Sequence, residues 1–425
     1  MLRVLQQTYL AVFRRYPLLV PLALITACGE LVYAGINNFS IPLLLEHQGR
    51  TLGVPGGKLG LVVGTVTSTF LVSETLLRIP FGWLSDRWGR ARMIALGPLV
   101  GCVSPALIAH LGHYLWIFPL RVLDGLGAAA LWPSLFALVG DRVERAWRAT
   151  AMSVMNMIYV AAVALGPALA GLVIRLTGSY RAPFYGASAL LLVAGLVGLF
   201  WLGRVPALGR DGGSPEAEPE AHAHRPVGRS TVALMLLITF SQSFAIIMLS
   251  PFLVLYGSRV LGLTETRLGL LFIGPAVGVA LLSIPFGRLA DRWSKQSAVK
   301  VALVLAALTM WLLPQTVRLP VLILIATLFA LAYALGTPAW FAIMSEIAPE
   351  RARGKVFGGF GTAQGLGAVA GPIVGGYLWE IDRHYPFYAS AAVLTLAALL
   401  AVACLRTHPL DRGPAVARAG NLGGG

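Results

Sequence analysis

Leu76 to Arg90 reads LLRIPFGWLSDRWGR, and 205 residues later Leu281 to Lys295 reads LLSIPFGRLADRWSK, identical at ten of the fifteen positions. In each copy an apolar stretch runs into a tight, charged turn with Gly, Asp and Arg at matched places. A repeat at that distance inside a chain of 425 residues marks two copies of one unit, and the matched position implies that both share a topology.

The unit is a membrane unit. Hydrophobic residues make up 57% of the chain and charged residues 12%, with a mean hydropathy of +0.76, a balance outside the range of soluble domains. Crossing a hydrocarbon layer of about 30 Å takes about 20 helical residues. Twelve apolar runs reach that length, over residues 17–45, 58–84, 92–112, 115–140, 150–175, 183–203, 231–258, 266–290, 297–316, 319–346, 355–379 and 386–405. The expectation is an all-α membrane protein with twelve transmembrane helices in two pseudo-symmetric six-helix bundles. Residues 1–203 form the first bundle, 204–230 a cytoplasmic linker, 231–405 the second bundle and 406–425 a disordered cytoplasmic tail.

Orientation follows from the basic residues, because positively charged loops stay on the cytoplasmic side during insertion. With the N-terminus inside, inner segments hold 23 of the 33 Lys and Arg and outer loops hold eight; Arg78 and Arg121 lie within spans. Both termini are then cytoplasmic. The net charge of +15 is accounted for by insertion and by anionic headgroups rather than by nucleic acid.

The three cysteines, Cys28, Cys102 and Cys404, fall inside apolar spans and imply no disulfide framework. Arg14 and Arg15 followed by an apolar run ending at Cys28 mimic a lipoprotein signal, but the run continues past Cys28, so an uncleaved span is simpler. The linker contains RDGGSPEAEPEAHAHRP, too rich in Pro and Glu to pack. His222 and His224 within it lack further ligands nearby in sequence, so no metal or cofactor is expected.

The turn Gly82-Trp-Leu-Ser-Asp86-Arg87-Trp-Gly89-Arg90 resembles the G-x-L-[SA]-D-R-x-G-R motif of the major facilitator superfamily, between its second and third helices. Gly287-Arg-Leu-Ala-Asp291-Arg292 resembles the degenerate echo of that motif between helices eight and nine. Arg121-Val-Leu-Asp124-Gly125 resembles the Arg motif of helix four. The run from Gly367 through Gly371-Pro372 to Gly375-Gly376 is similar to the G-x-x-x-G-P-x-x-G-G motif that the family's antiporters carry in helix five. Here the fuller copy lies in helix eleven, and helix five has only Leu165-Gly166-Pro167 to Gly171. The resemblance implies a transporter that works by alternating access, and no enzyme: no nucleophile, base and orienter combination occurs in any loop.

The residues carry a matching chemistry. Gly82 and Gly89 are expected to allow a close helix approach and a turn with positive φ, while Asp86 caps a facing helix N-terminus. Arg87 and Arg90 lie near Asp141 and Glu144, which offer ionic partners. The expected gating set is therefore Gly82, Asp86, Arg87, Gly89, Arg90, Asp141, Gly287, Asp291 and Arg292, with Gly371 and Pro372 as the sliding and kinking point of helix eleven.

Charges within the spans point to coupling, since an unpaired one costs roughly 2.5–3.5 kcal/mol on insertion scales. Glu30 and Arg121 lie at similar depth and are able to pair. Asp124 follows Arg121 by three residues and gives it a second carboxylate partner, so the Arg is able to switch between them. A carboxylate that trades its Arg for a proton or a cationic substrate is a minimal coupling device. Glu74 and Arg78 form an i, i+4 pair that is either a structural support for the latch or a member of the proton-coupling set Glu30, Glu74, Arg121 and Asp124. A Glu30–Arg121 bridge that only holds helices together is the plain alternative.

Glu30, Tyr33, Asn37 and Asn38 share a helical face, and a polar face in a membrane is expected to line water. This stretch is similar to helix one of bacterial drug/proton antiporters of the same superfamily, in which a Glu twelve residues before a Pro recognises protons and cations. Glu30 and Pro42 keep that spacing, but Asn38 stands where those proteins carry a second acid, which suggests fewer protons per cycle or a less cationic substrate. Helices one, four, seven and ten surround the cavity in that family, so Trp132, Gln242, Trp340 and Phe341 join Tyr33, Asn37 and Asn38 as the expected substrate contacts, with Gln364, a polar group of the second half, beside them.

An apolar cavity with one acid cluster suits a small hydrophobic or weakly cationic organic compound, exported against entering protons. A lipid or lysolipid flippase, a sugar or metabolite facilitator and a non-transporting sensor are the alternatives. The expected partners are that small molecule, protons and membrane lipids, with the protein a monomer in a bacterial inner or plasma membrane.

Overall fold

The computed structural model describes residues 11–202, 229–292, 294–347 and 353–404; within them the side chains of 280–292 and 353–357, among others, are not described. Helices stand at all twelve predicted places, and no strand occurs among the described residues. They are α1 (Leu19–Gln48), α2 (Leu59–Trp88), α3 (Arg90–Ile108), α4 (Tyr114–Arg142), α5 (Arg145–Thr177) and α6 (Ala182–Leu202), followed by α7 (Arg229–Arg259), α8 (Glu265–Arg292), α9 (Lys295–Gln315), α10 (Leu319–Ile347), α11 (Arg353–Ile381) and α12 (Tyr385–Cys404). Ten are long and apolar enough to cross a membrane. The other two, α8 and α11, run into residues whose side chains are not described. The linker and tail expected at 204–230 and 406–425 lie almost wholly outside the described residues.

By contact, the chain divides into two compact units: residues 1–220 with 250–272, and 221–249 with 273–425. The C-terminal end of α7 and the N-terminal end of α8 thus pack with the first six helices. Large apolar side chains stand open on helix surfaces, with Ile79 83% and Leu176 75% exposed. Apolar surface of that extent requires lipid around it.

Inside the first unit, glycines bring backbones together. A Cβ on Gly166 of α5 would lie 2.4 Å from the Leu31 carbonyl oxygen of α1, and one on Gly97 of α3 would lie 2.6 Å from that of Gly127 on α4. Helices in lipid associate by such contacts because burial from water adds little there. The second unit repeats the device: Cβ atoms on Gly367 and Gly371 of α11 would lie 2.4 Å from Phe240 O and 2.6 Å from Phe244 O of α7. These two glycines bring the α11 backbone against that of α7. Its core gathers Met235, Ile238, Val299, Leu303, Trp340, Ile343, Met344 and Phe360.

One irregularity sets the site. Pro42 has no amide hydrogen to donate and its ring crowds the preceding turn, and just before it Ile36–Ser40 winds as a π turn. The extra residue turns Asn37 and Asn38 away from the directions that regular winding gives them.

Candidate functional site

The most buried charge in the first unit is Arg121, wholly enclosed. Its Nη1 donates to Asp124 Oδ2 at 2.5 Å, its Nη2 donates to Asn37 Oδ1, and its guanidinium lies 4.5 Å from the Phe70 ring centre. Arg121 therefore pairs within its own helix and to α1, and the possible pairing with Glu30 is not formed. Glu30, 7% exposed, accepts a hydrogen bond from the Tyr159 hydroxyl of α5. Tyr159 meets Trp132 edge-to-face at 5.4 Å. Glu74, also 7% exposed, is close enough to Glu30 for their charges to interact, and it accepts from Arg78 at 2.6 Å. Arg78 is half exposed, so it carries the charge of a buried acid out to the surface.

Several expected substrate contacts have other places. Tyr33 is not on a wet face: it is 4% exposed, and its hydroxyl sits where Cβ atoms on Gly101 and Gly127 would come within 3.0 and 3.1 Å. Asn37 is taken by Arg121, and Asn38 accepts from the Ser250 hydroxyl on α7. In the second unit Trp340 is a core residue, 5% exposed, whose Nε1 donates to Thr239 Oγ1 at 3.2 Å. The large apolar ring is buried because its one polar atom finds a partner. Phe341 and Gln364 are exposed, and Gln242 lines a crevice with Ile246, Phe329, Tyr333 and Thr337.

The charged turn after α2 forms as an ionic knot. Arg90 Nη1 pairs with Asp141 of α4 and its Nη2 stands 3.6 Å from Asp86. Gly89 takes φ +98°, the left-handed region that the turn requires. Gly82 does not serve a close approach, since a Cβ there would meet nothing within 4 Å. Arg87 lies 4.5 Å over the Trp83 ring, and Glu144 is bound by Arg15 at 3.0 Å. Asp86 pairs with its neighbouring Arg and is otherwise exposed. Gly287, Asp291 and Arg292 lie in α8 where side chains are not described. Pro372 is buried inside α11 beside Gly371.

A second cluster went unpredicted. Arg259 Nε at the end of α7 donates to Glu46 Oε1 of α1 at 3.1 Å, and the Tyr180 hydroxyl donates to Glu265 of α8 at 2.8 Å. The His47 ring stacks on Tyr180 at 4.1 Å. Burial, then the Glu265 carboxylate, pushes the Tyr180 phenol above its usual range. The sequence signal for this clasp was two glutamates, Glu46 and Glu265, at span ends that carry few other acids.

A family profile described as Major Facilitator Superfamily matches residues 23–263 and 235–422. The chain belongs to the major facilitator superfamily. It is a multi-pass membrane transporter and not an enzyme. It is similar to Multidrug resistance protein 2 of Bacillus subtilis (strain 168), 27% identical over 342 residues that cover 79% of this chain and 84% of the relative. It is likewise similar to the quinolone resistance protein NorA of Staphylococcus aureus, 24% identical over 380 residues, covering 89% and 94%. Among solved structures, an inward-facing and occupied bacterial homologue of the human lysosomal transporter Spinster has a TM-score of 0.72 at 17% identity, covering 94% of this chain and 98% of that one. The POT family transporter PepTSo has a TM-score of 0.70 at 14% identity, covering 91% and 97%. These structural likenesses are of fold.

Proposed function

We propose that this transporter exports a small hydrophobic or weakly cationic organic compound by alternating access, driven by protons entering the cell, with Glu30 as the exchangeable acid. The observation that carries the proposal is the Glu30 carboxylate, buried within the membrane beside Glu74 and held by a neutral Tyr159 rather than by a cation. Such an acid is released from its proton or loaded with one by small changes around it, and the Tyr159–Trp132 pair offers an aromatic wall to an organic cation. The drug-resistance names of the relatives from Bacillus and Staphylococcus support the substrate class.

In this reading both termini are cytoplasmic, and the Arg90–Asp141–Asp86 knot with Gly89 closes the inner face of the first unit during part of the cycle. The protein works as a monomer in the plasma membrane. A potential of 100 mV adds about 2.3 kcal/mol per charge moved and each pH unit about 1.4, enough for tenfold accumulation.

The test is movement of lipophilic cations and neutral drugs in proteoliposomes under an imposed pH gradient. Glu30→Gln is expected to abolish gradient-driven movement while exchange at equal pH continues. Unchanged coupling in Glu30→Gln would make Glu30 a scaffold residue and remove the proposal's foundation.

A further inference from the structure

We infer that Tyr33 is a hydroxyl relay that passes a proton between Asp124 and the Glu30–Glu74 pair, not a contact for the transported compound; the inference rests on the proton-coupled reading above. The hydroxyl is buried, and no described atom accepts or donates a hydrogen bond to it. A buried polar group left unpaired costs about 1–3 kcal/mol, so phenylalanine would be the more stable residue if filling space were the only role. The ring is already fixed by packing, 5.8 Å from Phe70. The hydroxyl adds no hydrogen bond to that packing.

Its seat is specific. Gly101 of α3 and Gly127 of α4 leave open the space that their Cβ atoms would occupy, 3.0 and 3.1 Å from Tyr33 Oη. Three residues from each glycine, on antiparallel helices and so on the same side of the notch, stand Ser104 and Asp124. Ser104 Oγ and Asp124 Oδ1 are also buried, and the Ser104 hydroxyl is aimed at the Asp124 carboxylate. The unpaired Tyr33 hydroxyl and the Ser104–Asp124 pair, donor and acceptor oxygens together, thus lie within about one helical turn of one another.

The charged groups facing the hydroxyl are Asp124 and Arg121 on α4, Glu74 on α2 and Glu30 on α1. From α3 come the Ser104 hydroxyl and the Cys102 thiol, and the thiol is bound to Leu99 O at 3.0 Å. Glu30 lies three residues before Tyr33 on α1. With the amino terminus inside, the order Asp124, Tyr33, Glu30 descends from the outer toward the inner side, the direction in which protons enter.

The step balances without a co-reactant. Asp124, carrying a proton, gives it to Tyr33 Oη as the original O–H proton leaves toward the glutamate pair. The phenol is restored, Asp124 is left as a carboxylate beside Arg121, and one glutamate becomes a carboxylic acid.

The test uses the full chain in liposomes with tetraphenylphosphonium as the probe, measured both under a pH gradient and as exchange at equal pH. Tyr33→Phe keeps the ring and is expected to lower gradient-driven movement about tenfold or more while exchange stays within about twofold of wild type. Ser104→Ala is expected to act in the same direction, more weakly. Tyr33→Phe that matches wild type in both assays, or that loses both alike, overturns the relay. If Glu30→Gln uncouples transport and Tyr33→Phe does not, the relay alone fails; a wild type blind to the gradient removes the relay and the proposed function together.

Discussion

The α1–α4 pair of the first unit and the α7–α10 pair of the second use matching places in the two repeats for different ends. The first pair is joined by a buried guanidinium, Arg121 reaching Asn37 while holding Asp124. The second is joined by an indole, Trp340 reaching Thr239 inside an apolar core. Backbone packing is nevertheless common to both, since Gly166 seats α5 on α1 as Gly367 and Gly371 seat α11 on α7. Duplication preserved the way helices touch, and the chemistry diverged on top of it. Among the described residues the buried charged side chains, Glu30, Glu74, Arg121 and Asp124, all lie in the first unit.

The sharpest way to break this comparison is to crowd both glycine seats. Gly166→Leu and Gly367→Leu each force a side chain into a backbone carbonyl 2.4 Å from the new Cβ, which no rotamer avoids. Both are expected to abolish folded protein, read as loss of the monodisperse peak in size-exclusion chromatography. Survival of one and not the other would show that the two seats are not equivalent.

A smaller effect separates the linking side chains. Arg121→Met leaves Asp124 buried without its cation and is expected to cost about 3–5 kcal/mol. Trp340→Phe removes one hydrogen bond of 3.2 Å and keeps most of the packing, about 1 kcal/mol. Thermal unfolding in detergent should therefore rank Arg121→Met well below Trp340→Phe, and equal shifts would mean that the charge in the first unit is not the tighter link.

The smallest effect concerns the turn between α11 and α12. The His384 backbone N–H donates to Asp382 Oδ1 at 2.7 Å, and this bond, followed by the His384 ring, holds the Asp382 carboxyl below its usual range. A depressed carboxylate adds stability that is present above its unfolded value and lost as pH falls through the folded one. Asp382→Asn is expected to flatten that acid limb slightly in pH-dependent melting, with no change at neutral pH in the melting of the first unit.

Much of this was legible in the sequence. The repeated GxLxDR turn gave two like units, and the span of residues 58–84 became Leu59–Trp88 because a charged turn ends an apolar helix wherever lipid ends. Arg90 with Asp141 was readable for the same reason, two charges at adjacent helix ends on one side. What escaped reading was direction. A wheel of constant 3.6-residue winding put Tyr33, Asn37 and Asn38 on one wet face, whereas the π turn aims Asn37 at α4 and Asn38 at α7. Pro42 was the available signal. Trp340 escaped because hydropathy cannot tell a buried aromatic from one lining a cavity, and its partner Thr239 lies a hundred and one residues away. The Glu46–Arg259 and Tyr180–Glu265 contacts join helix ends and a turn remote in sequence, which no local pattern encodes.

A π turn is one residue more than its length of regular helix needs. Excising a single residue from Ile36–Ser40 would let α1 close into ordinary winding while Glu30 below and Leu43 above kept their bearings. The length of α1 is therefore least constrained at this turn, since Glu30 and Pro42 flank it and would hold their directions through the change.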